Sequence, residues 1–334
     1  MRIQVVKKPT VISTFAGCGG SSLGYKLAGF KELPAVEWDD NAIEVFRMNF
    51  PGVPIYHGDI ADLTGKECMK LAGIRKGELD VLDGSPPCQG FSTAGRRKWD
   101  DPRNSLFKEY ARLLKELQPK VFVMENVTGM VKGCMKQAYL TIIKTLRECG
   151  YKAKGEILNA VYYNVPQTRQ RVIIIGVRKD LNIEPSHPKP KAKPLTIMNV
   201  FKNVPDGLGL QLSSKTDRLN TSKTVAMVKR MKQGESVFGV TKKYGFDTSR
   251  LHIARPAPTL KKSLGSFALG FVHPTEDRRI TIPEAKRIMS FPDDFTFIGT
   301  YQEQWARIGN SVPPNLMMAI AGHIKNEILK KSEK

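Results

Sequence analysis

The sequence predicts an α/β protein whose main domain is a doubly wound, Rossmann-like sheet, with a second domain that is small and loop-rich. Three observations predict this fold. Short apolar runs alternate with helical stretches over the first 180 residues, which is typical of β-α-β units. The first run leads into a glycine-rich turn, and acidic residues follow the next two runs. A proline- and lysine-rich stretch at 184–194 then precedes a segment with little periodicity.

The predicted elements follow one another in the order of such a sheet. We expect Asp40 or Asn41 to cap a helix that ends near Phe50. An apolar C-terminal helix is predicted up to about residue 330, with proline near its first turn. Further helices are predicted at 104–117 and 138–149. Strands are predicted at 11–15, 34–37, 53–56, 79–82, 121–124, 156–162 and 172–177.

The charge of the chain is its most informative bulk property. A net charge of +21 indicates a polyanionic partner, above all nucleic acid, although a basic surface can also serve solubility alone. No apolar run approaches the ~20 residues of a membrane span, and no signal peptide is recognisable. The five cysteines and five histidines are scattered. We therefore expect a reduced, cytoplasmic chain without disulfides or a metal site.

A candidate nucleophile follows the fourth predicted strand. Pro86 and Pro87 directly precede Cys88, and because proline restricts φ, the cysteine should lie on a rigid turn. Taken alone, such a cysteine is either a packed thiol or a nucleophile. The basic segment at 93–103, which includes Trp99, is either a solvated linker or a lid that closes on nucleic acid.

Candidate binding residues follow the first three strands. The turn at 16–20 contains three glycines and is either a tight structural turn or the place where a nucleotide-type ligand approaches the backbone. Glu37 lies about twenty positions later, where a carboxylate can bind ribose hydroxyls, and the Trp38 ring could stack on adenine. Asp59 is a third acid at a strand end. The carboxyl ends of parallel strands share one edge, which would also carry Cys88.

Two further elements supply candidates for acid–base chemistry and charge stabilisation. Glu125 follows the fifth strand, where a partly desolvated carboxyl group can act as an acid. Arg169 and Arg171 stand two apart at the start of the last strand, so that alternation would direct both to one face.

Taken in order, these motifs resemble those of the DNA (cytosine-5) methyltransferases. Two stretches at 273–278 and 291–295 are also similar to the sequence before the family's last motif, whereas 190–244 carries no recognisable motif. The resemblance rests on eight motifs in the family's order, at 15–20, 37–39, 58–60, 84–92, 125–127, 167–171, 255–259 and 309–314.

The resemblance implies a class I fold that depends on S-adenosyl-L-methionine (AdoMet). Residues 1–185 would form the catalytic, AdoMet-binding domain, and 186–254 the target-recognition domain with its basic linker. Residues 255–304 would carry a motif segment and hinge, and 305–334 the helix that returns to the catalytic domain. A methyl group would pass from AdoMet to C5 of cytosine in a short, specific DNA sequence.

The resemblance also assigns roles to single residues. Cys88 would add to C6 of the cytosine, Glu125 would engage N3 and the exocyclic amine, and Arg171 would hold O2, with Arg169 beside it. Because the target atom is hidden in a duplex, the base must flip out, and the lid implied here contains Ser92, Arg96, Arg97 and Lys98. The AdoMet site would comprise Phe15, Gly17, Gly19, Glu37, Trp38, Asp59, Ile60, Pro86, Asn310 and Ser311.

The implied partner is double-stranded DNA, and a cognate restriction endonuclease could act at the same site. We expect a monomer, associated with the nucleoid and not with a membrane. Three alternatives remain at this stage. An RNA (tRNA) cytosine-5 methyltransferase is disfavoured because 190–250 lacks the Cys-Phe-Thr signature. A non-catalytic DNA-binding regulator would not need Cys88, Glu125 and Arg171, and a dehydrogenase would explain neither Cys88 nor the charge.

Overall fold

The computed structural model describes residues 8–87, 105–191, 193–204, 222–241, 248–264 and 270–332. The chain divides into two compact units. The first comprises Met1–Asn159, Gln170–Lys189 and Leu316–Lys334, and the second comprises Ala160–Arg169 and Pro190–Asn315. The domain borders and roles given by the sequence stay predictions.

The first unit contains a seven-stranded sheet, which confirms the predicted α/β fold class. Its strand order is β3-β2-β1-β4-β5-β7-β6. The first five strands are parallel, whereas β7 is antiparallel to both of its neighbours. The order reverses between β1 and β4, which is where ligands bind in sheets of this type. The strands are β1 Thr10–Thr14, β2 Lys31–Glu37, β3 Ile55–His57, β4 Val81–Gly84, β5 Val121–Val127, β6 Tyr151–Asn159 and β7 Gln170–Arg178.

One strand lies elsewhere than predicted. The expected strand at 156–162 is wrong in position, because β6 covers Tyr151–Asn159 and a 3₁₀ turn follows at Ala160–Tyr162. β6 is an edge strand, and Lys152 and Lys154 alternate with buried residues along it. Such charges are typical of edge strands, where they discourage pairing with other chains, and they conceal the apolar pattern that sequence reasoning looks for.

Helices cover both faces of the sheet in the manner of β-α-β units. The α2 helix is capped by Asp39, whose Oδ1 accepts from the Ala42 N–H at 2.9 Å; the expectation of Asp40 or Asn41 was therefore wrong by one or two positions. Proline begins α11, as predicted, and π-helical turns follow it at Ile324–Leu329. The helices of this part are α1 Gly20–Leu27, α2 Asp40–Asn49, α3 Gly65–Ala72, α4 Ser105–Leu117, α5 Lys136–Glu148, and α11 Pro314–His323 with α12 Lys330–Ser332.

The two faces of the sheet differ in chemistry. One face packs an apolar core that includes Leu82, Phe122 and Leu113. The Tyr110 hydroxyl lies in this core within hydrogen-bond distance of the carbonyls of Leu82 and Val123, at 3.2 and 3.0 Å, and shares its one proton between them. The opposite face carries polar side chains near the carboxyl edge, which are described below. Burial of this much apolar surface makes the sheet a rigid base for that edge.

The second unit is built from short elements, in agreement with its low periodicity. Arg250 is almost fully buried and ties this unit together. Its guanidinium donates to the carbonyls of Val228, His273 and Glu276 and pairs with Asp277. The elements are α6 Ile197–Val200, α7 Ser222–Arg230, α8 Val237–Thr241, β8 Ser249–Arg250, β9 Phe271–Val272, α9 Ile282–Ile288 and α10 Tyr301–Asn310.

Candidate active site

The turn after β1 is open toward a ligand. Gly17 has a φ of 54°, and a Cβ there would meet nothing within 4 Å. Gly19 has a φ of 94° and caps α1, and a Cβ there would collide with Phe50. Phe15 also adopts a left-handed φ of 54°, a strained conformation for a bulky residue that is characteristic of functional sites. The turn therefore combines strain with free space, as a ligand-binding loop requires.

Glu37 joins this turn to the end of β2. Its Oε2 accepts from the Gly17 N–H at 2.7 Å, and its Oε1 accepts from the N–H groups of Trp38 and Asp39 at 2.9 and 3.0 Å. A carboxylate offers about four acceptor positions, so one remains for a ligand hydroxyl. The Trp38 ring beside it is 70% exposed and is free to stack on a flat ring.

Asp59 follows β3 on the same edge. It is exposed, and its Oδ1 accepts from the Ala61 N–H at 2.9 Å, whereas Ile60 is buried. The space above Gly17, the acceptor capacity of Glu37, the exposed Trp38 ring and the exposed Asp59 carboxylate fit the ribose and adenine of a nucleoside. The predicted cofactor residues of the first unit thus suit such a group.

The segment that leads from β4 toward Cys88 is held by Asn126. The Asn126 side chain donates to the Pro86 carbonyl at 3.0 Å and accepts from the Val127 N–H at 2.9 Å. Asn126 therefore ties the end of β5 to the segment that precedes Cys88. Cys88 lies outside the described residues. The same is true of the predicted lid, with Ser92, Arg96, Arg97 and Lys98.

Glu125 and Arg171 form a buried ion pair at the end of β5. Glu125 lies opposite Ile173, and Val127 lies opposite Arg171, so the two charged side chains are diagonal neighbours on one face of an antiparallel pair. The Arg171 Nε lies 2.8 Å from the Glu125 Oε1, and the two side chains are 13% and 11% exposed. Because little water reaches these two side chains, the Coulomb attraction between them is stronger than in a surface ion pair. It places a carboxyl group and a cation beside the strand that leads to Cys88.

Two buried acids lie behind this edge. Asp83 is opposite Ser13 across β1 and β4, and the Tyr25 hydroxyl donates to it at 3.3 Å. Burial raises the pKa of Asp83 to about 7; hydrogen bonds from Ser21 and Tyr25 lower the pKa, and the Glu125 charge raises it.

Glu32 is the second of these acids. Part of its side chain reaches the surface, but both carboxyl oxygens are buried and neither has a hydrogen bond of normal geometry. Burial raises the pKa of Glu32 to about 8, with Ser13 and Ser22 opposing this rise and Asp83 adding to it. A shift in the β1–β2 register between Val11 and Ser13, across from the donor-free Pro34, brings Glu32 to this face.

Arg169 belongs to the second unit and has a different environment from Arg171. The expectation that both lie on one strand is wrong, because β7 begins at Gln170; the preceding Thr168 N–H instead donates to the Ala257 carbonyl. The Arg169 guanidinium is buried and donates to the carbonyls of Leu260, Gly309 and Ser311 at 2.8, 3.1 and 2.9 Å. It thereby holds the segment that contains Asn310 and Ser311. The roles of these three residues in catalysis and cofactor binding stay predictions.

Sequence reasoning missed Glu32 and Asp83. Asp83 had a usable signal, because it stands at the end of an apolar run in a central strand, where a carboxyl group must be buried. Glu32 had none, because its position depends on the register shift beside Pro34.

The sheet and the groups along its carboxyl edge define the class of protein: this is the class I methyltransferase fold. Residues 9–326 match the family described as C-5 cytosine-specific DNA methylase, and the chain belongs to that family. It is a DNA cytosine-5 methyltransferase. Within the described residues, none of the helices has the length and apolarity needed to cross a membrane.

Bacterial relatives match over nearly the whole chain. The Type II methyltransferase M.XorII of Xanthomonas oryzae pv. oryzae is 34% identical over 370 residues, which cover 98% of this chain and 87% of the relative. The Type II methyltransferase M.Sau96I of Staphylococcus aureus is 35% identical over 327 residues, which cover 93% of this chain and 74% of the relative.

Solved structures share the fold. A protein encoded within an E. coli prophage and assigned as a DNA modification methyltransferase superposes with a TM-score of 0.79 at 26% identity, covering 96% of this chain and 99% of that chain. DNMT2 of Spodoptera frugiperda has a TM-score of 0.68 at 19% identity, covering 98% of this chain and 100% of that chain. The second likeness concerns the fold alone.

Proposed function

We propose that this enzyme transfers a methyl group from AdoMet to C5 of a flipped-out cytosine in a short, specific sequence of double-stranded DNA, through a covalent bond between Cys88 and C6. The observation that carries the proposal is the Glu125–Arg171 pair. β4 and β5 are parallel neighbours, with Gly84 opposite Met124. The chain that leaves β4 toward Cys88 therefore starts beside Glu125, which supports a common location for nucleophile, acid and cation.

The proposed reaction assigns a separate task to each group. C5 of cytosine is a poor nucleophile, so the Cys88 thiolate would attack C6, and the electron pair of the C5–C6 bond would then be available at C5. Glu125 would hold a proton at N3, and Arg171 would offset charge at O2. Once C5 carries the methyl group, its proton would pass to water, and the electrons of the C5–H bond would re-form the C5–C6 double bond. The C6–S bond would then break with its electrons on the Cys88 thiolate, and the ring would regain aromaticity.

The donor would be held by residues of the first unit. Glu37 would accept from the ribose hydroxyls, the Trp38 ring would cover adenine, and Asp59 would accept from its amino group. When bound, AdoMet supplies a methyl group activated by the positive sulfonium. The open space above Gly17 supports this placement, since a bulkier residue there would fill it.

The substrate is proposed to be duplex DNA, and sequence specificity would come from the second unit. Residues 202–254 contain ten Lys or Arg against four Asp or Glu, a charge suited to phosphate contacts. Because relatives are Type II methyltransferases, the enzyme would protect sites from a cognate restriction endonuclease. It would act in the cytoplasm, at the nucleoid.

The test is a methyl-transfer assay with labelled AdoMet on duplex DNA, with tRNA as the competing substrate. Bisulfite sequencing of the DNA product should show 5-methylcytosine in one short sequence context. Label in tRNA but not in DNA would favour an RNA methyltransferase instead. A methylated adenine, or no labelled nucleic acid, would contradict the proposed reaction.

Binding to DNA should depend strongly on salt. Each phosphate contact releases condensed counterions, so log K should fall linearly with log salt concentration, with a slope of about −0.9 per contact. The check is a fluorescence-anisotropy titration of a labelled duplex at several salt concentrations, with AdoMet affinity measured over the same range as the control. An affinity for DNA that stays constant with salt concentration would refute the proposal that basic side chains contact the DNA phosphates.

A further inference from the structure

An arginine on α4 holds the segment that follows Asp59. The Nη2 of Arg112 donates to the carbonyls of Ile60 and Leu63, both at 2.9 Å. Its Nε bonds Glu109 at 2.6 Å. One nitrogen of the guanidinium thus bridges two carbonyls of a single turn, while its other two nitrogens bond carboxylates of α4 itself.

A second residue of α4, Glu116, also bonds the segment that follows Asp59. The Glu116 carboxylate accepts from the Gly65 N–H and lies 3.2 Å from the Arg112 Nη1. The segment from Ile60 to Gly65 is therefore attached to α4 at three backbone points. The Thr64–Glu67 capping box then begins α3, so the segment has a defined end as well.

Asp59 is part of the same turn. Its side chain accepts from the Ala61 N–H, and its carbonyl accepts from the Asp62 N–H at 3.1 Å. On its other side stands β3, an edge strand of only three residues. A site works well only when a supporting shell holds its contact residues in place, and for Asp59 that support comes mainly from α4.

We propose that Arg112 is a positioning residue for the adenine end of AdoMet: by bridging the carbonyls of Ile60 and Leu63, it holds Asp59 where it meets the adenine amino group. The inference rests on the proposed function, which assigns Asp59 to adenine. Arg112 would act only through these protein contacts. Its loss should therefore weaken AdoMet binding and leave the chemical step alone.

The test compares Arg112→Gln with a matched control, Arg178→Gln. Arg178 also bridges two carbonyls, those of Gly77 and Gln118, and pairs with Asp180. Gly77 and Gln118 precede β4 and β5, at the edge of the sheet opposite the candidate site. We expect the Kd and KM for AdoMet to rise about tenfold in Arg112→Gln, the size of one lost charge-assisted contact, with kcat and the KM for DNA unchanged. Arg178→Gln should lower Tm without changing AdoMet affinity.

A double-mutant cycle with Asp59→Ala distinguishes the positioning role of Arg112 from the assignment of Asp59 to adenine. In the Asp59→Ala background, Arg112→Gln should have no further effect on AdoMet affinity. If Asp59→Ala alone leaves that affinity unchanged, the cofactor assignment is wrong.

If Asp59→Ala weakens binding but Arg112→Gln does not, or if Arg178→Gln weakens it equally, the positioning role is overturned. Should Arg112→Gln fail to fold, Arg112→Lys keeps the charge but offers three N–H donors in place of five, so the bonds to Ile60, Leu63, Glu109 and Glu116 cannot all be kept. It should then show a smaller rise in Kd for AdoMet, and an unchanged Kd would count against the role.

Discussion

Replacing Cys88 with alanine is expected to lower methyl transfer by about 10⁴-fold or more, the scale on which enzymes lose activity when a covalent nucleophile is removed. Without the thiolate, no electron pair is made available at C5, and neither Glu125 nor Arg171 can supply one. The loss should appear in kcat, while AdoMet still protects the variant against thermal unfolding. The measurement is labelled-methyl transfer to duplex DNA at saturating AdoMet.

Cys149→Ala is the matched control, because Cys149 is a half-buried thiol on the first unit that contacts the Ala111 carbonyl. It should keep normal kcat. DNA with 5-fluorocytosine at the target position gives a second readout, since fluorine cannot leave C5 as the proton does. The wild-type enzyme should become covalently attached to such DNA and Cys88→Ala should not. Methyl transfer that persists in Cys88→Ala would contradict the covalent mechanism.

The free energy of unfolding is expected to fall with rising pH because of Glu32 and Asp83. Burial raises the pKa of Glu32 from 4.5 to about 8 and that of Asp83 from 3.8 to about 7. Between pH 5 and 7 the folded state therefore keeps protons that the unfolded state has released. Stability present below pH 4 is lost as pH rises toward the folded values, at up to about 1.4 kcal/mol per pH unit for each group.

Glu32→Gln and Asp83→Asn should each flatten this dependence by about one proton, and each should be more stable than wild type at pH 8. Asp83→Asn also removes a like charge that raises the pKa of Glu32. The measurement is urea unfolding from pH 5 to 8, fitted at constant m-value. Glu44→Gln, on an exposed position of α2, is the control and should follow the wild-type curve. Equal slopes for wild type and both buried-acid variants would show that these carboxyl groups are not protonated in the folded enzyme.

The fold class was predictable because apolar runs and strand-end residues repeat in a regular order. The same order placed Glu37, Asp59 and Glu125 correctly at strand ends, since their positions depend on local pattern. Arg112 and Glu32 could not be found in this way. Arg112 acts through carbonyls some fifty positions earlier in the chain, and Glu32 reaches its face through a register shift. Neither the contact of a side chain with a distant backbone nor a shift in strand register leaves a trace in the pattern of side chains along the sequence.

The first unit is assembled from three separate stretches of chain, the last of which begins at Leu316. The Lys325 ammonium on this last stretch donates to the Ala28 carbonyl at the end of α1. The α1 helix therefore cannot make this contact until residues near the end of the chain have been synthesised. A ribosome adds roughly 5–20 residues each second. The helical cover of this unit must therefore remain incomplete for several seconds while the basic middle of the chain emerges. The enzyme accordingly gains its full set of contacts around α1 only near the end of translation.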